Sequence, residues 1–73
     1  MSGERHYAIV IERAEANYSA YVPDLPGVIA AGDTVAETHD LIREAIALYL
    51  EVAREDGELI PEPTTVVEYV AAS

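Results

Sequence analysis

Residues 34–57 read TVAETHDLIREAIALYLEVAREDG, and this stretch decides the fold. Thr34-Val35-Ala36-Glu37 forms a capping box: the Thr34 hydroxyl accepts from the Glu37 N–H, and the Glu37 carboxylate reaches back to the Thr34 N–H. The pattern predicts a helix running to about Asp56, with Gly57 as the C′ residue that ends it. At about 100° per residue, Val35, Thr38, Leu41, Ile42, Ala45, Ile46, Leu48, Tyr49, Leu50, Val52 and Ala53 sweep an arc of about 200°. Covering one sheet face needs closer to about 100°. Leu41, Leu48 and Val52 lie on one flank of that arc and Leu50 on the other. These four are the candidates for self-association into a dimer or tetramer, because so short a chain builds a thin core. The opposite face carries Glu37, Asp40, Glu44, Glu51 and Glu55, interrupted by Arg43 and Arg54.

Before the helix, three short segments have strand character. Residues 6–12 (HYAIVIE) are rich in β-branched and aromatic side chains. Tyr7, Ile9 and Ile11 share one face, Ala8 and Val10 the other, so both faces are apolar and the strand is expected to be central. Residues 13–17 make a polar hairpin loop, and residues 18–22 (YSAYV) a second strand. Pro23-Asp24-Leu25-Pro26-Gly27 stops it, since neither proline donates to a ladder. Residues 28–31 form a third strand, ended by Gly32-Asp33. After the helix, Ile60-Pro61-Glu62-Pro63 is held extended, and residues 64–70 (TTVVEYV) read as a fourth strand. The expectation is an α+β fold in the order β-β-β-α-β: a small, mainly antiparallel sheet with one long helix on one face. Residues 1–5 and 71–73 read as tails.

Composition bounds the function. The chain has 73 residues, 14 acids against 4 arginines, no lysine and a net charge of −10. Residues 1–33 hold five acids and two arginines; residues 34–73 hold nine acids and two arginines, so the field is most negative toward the helix. Such a field steers a basic partner and repels nucleic acid, whose binding depends on Lys and Arg. With 51% hydrophobic residues, a packed core is nonetheless expected. No cysteine is present, which excludes disulfides and thiolate chemistry. The longest apolar run, residues 45–50, is far too short for a membrane span. Nothing at the start reads as a signal peptide, and a cytoplasmic single domain over residues 1–73 is expected.

Catalytic patterns are missing. There is no glycine-rich phosphate loop and no G-x-S-x-G elbow. His6 and His39 lack metal-ligand spacing, and Ser19 has no histidine near it in sequence. The i,i+4 carboxylate pairs Asp40–Glu44 and Glu51–Glu55 fit a solvated acidic face better than a cation site. Asp24 and Asp33 sit in glycine-containing turns. Tyr18 and Tyr21 have odd spacing and so opposite faces, which suits packing rather than base stacking. No catalytic residue, metal ligand or cofactor site is expected.

Residues 7–12 (YAIVIE), 18–28 (YSAYVPDLPGV), Ala31-Gly32-Asp33-Thr34 with Glu37, Ile42-Arg43-Glu44-Ala45-Ile46, and the close Gly57 with Ile60-Pro61-Glu62-Pro63 together resemble the HicB family. The resemblance covers residues 6–70, and the pairing of V-P-D-L-P-G-V with A-G-D-T is specific. It implies a truncated ribonuclease-H-like fold and an antitoxin role, in which the domain occludes a small basic HicA-type toxin that cleaves mRNA. It also implies oligomers. An acidic chain suits a basic, RNA-binding partner. Many family members carry a C-terminal operator-binding domain, whereas this chain ends at Ser73 after the fourth strand; direct DNA binding is therefore not expected. Nor is nuclease activity, which needs carboxylates converging on metal ions.

The candidate toxin contacts are Pro23, Asp24, Leu25 and Pro26 in the loop and Glu37, Asp40, Glu44 and Glu51 on the helix. Leu25, between two prolines, reads as an exposed apolar anchor of low entropic cost; the alternative is a turn that caps the sheet. Two rival functions remain: a self-associating module without a toxin, and a remnant metal-dependent hydrolase using Asp24, Asp33 or the helical carboxylates.

Overall fold

Two hairpins build the sheet. The structure, a computed structural model, describes residues 5–73, so most of the tail expected over residues 1–5 lies outside the described residues. Strands β1 (Val10–Arg13), β2 (Tyr18–Tyr21) and β3 (Ile29–Gly32) precede helix α1 (Val35–Glu55). Both pairings are antiparallel: Ile11 faces Ala20 across β1–β2, and Ala20 faces Ala30 across β2–β3. The sheet order is β1-β2-β3.

The helix follows its capping signals. Thr34 Oγ1 accepts from the Glu37 N–H at 3.0 Å. The Glu37 carboxylate accepts from the Asp33 N–H at 2.8 Å, one residue earlier than the capping-box pattern predicts. At the other end Gly57 takes φ +70°. Its N–H bonds to the Arg54 carbonyl at 3.2 Å, and the Glu58 N–H to the Ala53 carbonyl at 2.9 Å. These are the two bonds of a Schellman motif.

The core joins Ala20, Val22, Leu25, Val28 and Ile42, with Tyr7, Ile9, Ile11, Ala45, Ile46 and Tyr49 packed around it. Helix α1 crosses chiefly β3 and β2 and barely reaches β1. Thr38, fully buried on α1, donates its hydroxyl to the Thr34 carbonyl at 2.7 Å. It sits against Gly32, where a Cβ would lie 2.8 Å from Thr38 Oγ1 and 3.1 Å from its backbone nitrogen. A glycine at this position lets helix and strand meet.

Two sequence expectations need correction. Strand β1 is an edge strand, not the central one, and residues 6–9 stay outside its ladder although Tyr7 and Ile9 pack on the core. Residues 64–70 do not form a fourth strand. The chain leaving α1 is tied at the end of the sheet instead: the Tyr7 hydroxyl donates to the Pro61 carbonyl, and Thr64 and Thr65 bond to Asp24. Prolines 61 and 63 cannot donate to a ladder, and beyond Asp24 the segment joins neither sheet edge. Val66 is 77%, Tyr69 94% and Val70 87% exposed. The radius of gyration is 13.8 Å, against about 11 Å for a compact domain of this length.

Replacing Gly32 by Ala should cost about 1–3 kcal/mol, because Thr38 is pinned by its own hydrogen bond and cannot yield. A lowered thermal midpoint checks this; an unchanged one contradicts the close approach.

Candidate partner-binding surfaces

The two flanks of α1 differ in chemistry. Its apolar arc is wider than the sheet face beneath it, so the buried centre (Thr38, Ile42, Ala53) leaves side chains over on each side. On the β3 side, Leu41, Leu48 and Val52 are exposed, Leu48 by 61%. Leu48 and Val52 line a groove with Gly27, Val28, Ile29 and Tyr49. Ile29, at the free edge of β3, is 70% exposed. Helical spacing sets Glu44, Glu51 and Glu55 beside this stripe. Leu50, expected in the same self-association set, sits on the opposite flank and is half-buried.

On the β1 side, α1 stops short of the strand and leaves a crevice. Its lining includes Arg5, His6, His39 and Arg43, which are two of the four arginines and both histidines of the chain. Ile9, Ile42 and Ile46 line it too. Arg5 pairs with Glu62 at 3.4 Å. Asp40 lies 3.6 Å from His39 and 3.9 Å from Arg43, exposed contacts of little energetic weight. The molecule thus has an acidic, apolar flank and a flank that gathers half of its arginines and both histidines.

The loop expected to hold a toxin anchor proves structural. Leu25 is not exposed: it is fully buried in the core. The Leu25 N–H bonds to the Val22 carbonyl at 3.1 Å and the Val28 N–H to the Leu25 carbonyl at 3.2 Å, and Gly27 takes φ +89°. These bonds curl the loop so that Leu25 plugs the open end of the sheet, while Pro23 and Pro26 stay exposed. The turn between the prolines therefore caps the sheet.

Asp24 has a role that sequence reading missed. Its carboxylate accepts the N–H groups of Thr64 and Thr65 at 3.1 and 3.0 Å, and their hydroxyls at 3.1 and 2.9 Å. The Thr65 N–H bond is the main cause that holds its carboxyl below the ordinary aspartate range. Burial raises the Tyr7 phenol above its ordinary value. The partners of Asp24 lie forty residues away, and only the pair of adjacent threonines hints at them. Glu37 is likewise committed to the helix cap, which leaves Asp40, Glu44 and Glu51 of the expected helical contacts on the surface. Among the described residues no group of three His, Asp or Glu side chains is placed to hold a metal ion. No helix among them is long and apolar enough to cross a membrane.

Comparison with known proteins places this geometry. The family model described as HicB_like antitoxin of bacterial toxin-antitoxin system matches residues 7–73. A UPF0150 protein of Archaeoglobus fulgidus is 46% identical over 57 residues, 74% of this chain and 83% of that protein. An uncharacterized 14.9 kDa protein of Haemophilus phage HP1 is 38% identical over 64 residues, 88% of this chain and 48% of that protein. The chain therefore spans about half the length of the phage relative. Among solved structures, a chain of the HicA3 and HicB3 toxin-antitoxin complex matches with a TM-score of 0.70 at 30% identity, over 82% of this chain and 70% of that one.

Two outcomes follow from the loop. Leu25→Ala should lose about 2–5 kcal/mol of stability in chemical unfolding, as a buried leucine does and an exposed anchor does not. The folded-state pKa of Asp24 is depressed, so its contribution is present at neutral pH and is lost as pH falls through that lowered value. In an NMR titration the Thr64 and Thr65 amides should shift together at a midpoint below the ordinary aspartate range, and Asp24→Asn should abolish that transition. A midpoint at or above the ordinary value would contradict the tether.

Proposed function

We propose that this chain, which belongs to the HicB-like antitoxins of bacterial toxin-antitoxin systems, binds a small basic HicA-type toxin and masks it. The observation that carries this reading is the β3-side flank of α1. There the exposed stripe of Leu41, Leu48 and Val52 runs beside Glu44, Glu51 and Glu55. Apolar side chains at the centre supply the energy of such a contact, and the carboxylates supply steering and orientation. Asp40 extends the acidic border. Pro23 and Pro26, on either side of the buried Leu25, offer exposed, rigid surface.

The role is binding rather than catalysis. A toxin that cleaves RNA must present a cationic groove to phosphates. An acidic surface with an apolar centre competes for that groove by the same charge logic. This accounts for a net charge of −10 with no lysine. The same charge speaks against operator DNA binding by this domain itself. The solved relative that matches this chain is a toxin-antitoxin complex, which supports the same partner class.

A second reading, a self-associating module without a toxin, is favoured by the exposed apolar residues 66–70. The two readings separate on binding. With the HicA-type protein of the same genome, Leu48→Asp should weaken affinity by about tenfold or more. Glu44→Lys with Glu51→Lys should slow association most at low salt. Isothermal titration and stopped-flow measurements check both. Unchanged affinity in Leu48→Asp would move the interface elsewhere, and no binding by the unmodified chain would leave the second reading.

A further inference from the structure

The crevice on the β1 side of α1 has no part in the proposed toxin contact. Two segments build it. Along α1, His39, Ile42, Arg43 and Ile46 stand at the spacing of one helical face. The residues that lead into β1 supply Arg5, His6, Tyr7 and Ile9. The space they enclose is about 400 Å³, within the range of small-molecule sites.

The lining divides into two chemistries. Ile9, Ile42 and Ile46 give a branched aliphatic surface. Tyr7 adds its ring, since its hydroxyl is engaged by the Pro61 carbonyl. The acids and arginines of the chain number 14 and 4, yet two arginines line the crevice and no carboxylate does. Both histidines join them. The crevice is therefore a local reversal of the molecule's negative field.

Two further observations define the charge that fits. Arg5 Nε is shielded from solvent and has no acceptor among the described residues. A shielded donor of this kind is stabilised by an oxygen that accepts from it. The two guanidinium groups are also partly offset. Arg5 meets Glu62 at 3.4 Å and Arg43 meets Asp40 at 3.9 Å, and both carboxylates lie outside the lining. The remaining positive charge suits a single carboxylate better than the double charge of a phosphate monoester.

We propose that this crevice is a binding site for a small aliphatic monocarboxylate. The carboxylate accepts charge-assisted hydrogen bonds from Arg5 and Arg43, and the hydrocarbon body lies on Ile9, Ile42 and Ile46, where it leaves water. The bound molecule ties the segment before β1 to α1, which barely reaches β1 by itself. Binding therefore stabilises the fold. The site lies across α1 from the stripe of Leu41, Leu48 and Val52, so it stands independently of the toxin-binding reading.

The probe is 4-methylpentanoate, titrated into the full chain at neutral pH and low salt and followed by NMR. Saturable shifts are expected at Ile9, His39, Ile42, Arg43 and Ile46, with a Kd of about 1 mM or tighter. Acetate carries the charge without the body, and 4-methylpentanamide the body without the charge. Each should bind at least about tenfold more weakly. Arg43 is exposed, so Arg43→Gln should keep the spectrum of the folded chain and lose about tenfold in affinity; Arg5→Gln should lose as much. The thermal midpoint of the unmodified chain should rise with 4-methylpentanoate and not with the amide. Binding that does not saturate by about 20 mM would overturn the proposal. Equal binding of acetate would reduce the site to an adventitious ion only. Equal binding of the amide, or undiminished affinity in either arginine variant, would show an apolar crevice that does not recognise a carboxylate. Shifts centred on Leu48 would place the probe on the other flank and contradict the proposal as well.

Discussion

The close approach of Thr38 to Gly32 sets where α1 crosses the sheet. Gly32 has no side chain, so the first turns of the helix can rest against the end of β3. Thr34 and Glu37 fix the entry angle through reciprocal bonds to the Glu37 and Asp33 N–H groups. From that anchor, α1 runs over β3 and β2 and barely reaches β1. The consequences reach every surface feature of the molecule. One flank of α1 overhangs the β3 edge with Leu41, Leu48 and Val52 in solvent; the other stands off β1 and opens the cation-rimmed crevice.

The elements encoded by local chemistry were readable from sequence. The N-cap at Thr34 and the stop at Gly57 depend on neighbours within four residues, and both stand in the structure where the pattern placed them. The second and third strands, bounded by Pro, Gly and Asp, lie within a residue of their expected limits. Errors arose where a long-range choice decides. Residues 64–70 have strand composition, but composition does not say which edge, or whose, a strand joins. The tether at Asp24 links residues forty positions apart and has no local signature. Leu25 between two prolines looks exposed in one dimension; only the fold shows that the turn folds it inward to plug the sheet.

The candidate surface was legible in part. The over-wide apolar arc of α1 was legible in the helical spacing, and its Leu41, Leu48 and Val52 flank is exposed in the structure. The acidic face was legible as charge, but its division of labour was not. Glu37 serves the helix cap and Asp24 the C-terminal segment, whereas Glu44 and Glu51 remain on the surface. Counting acids could not separate these roles, because each depends on whether an N–H group stands within reach. The clustering of both histidines with Arg5 and Arg43 was also hidden, since it joins residues from the start of the chain to the middle of α1.

The proposed function rests on family membership and on a surface that sets exposed apolar side chains beside carboxylates. The most direct measurement is a backbone NMR titration of the labelled chain with the HicA-type toxin encoded in the same genome, with RNA cleavage followed in parallel. The account predicts perturbations concentrated at Ile29, Leu41, Glu44, Leu48, Glu51 and Val52, and loss of cleavage at equimolar chain. An unperturbed spectrum, or cleavage that persists with excess chain, would contradict it.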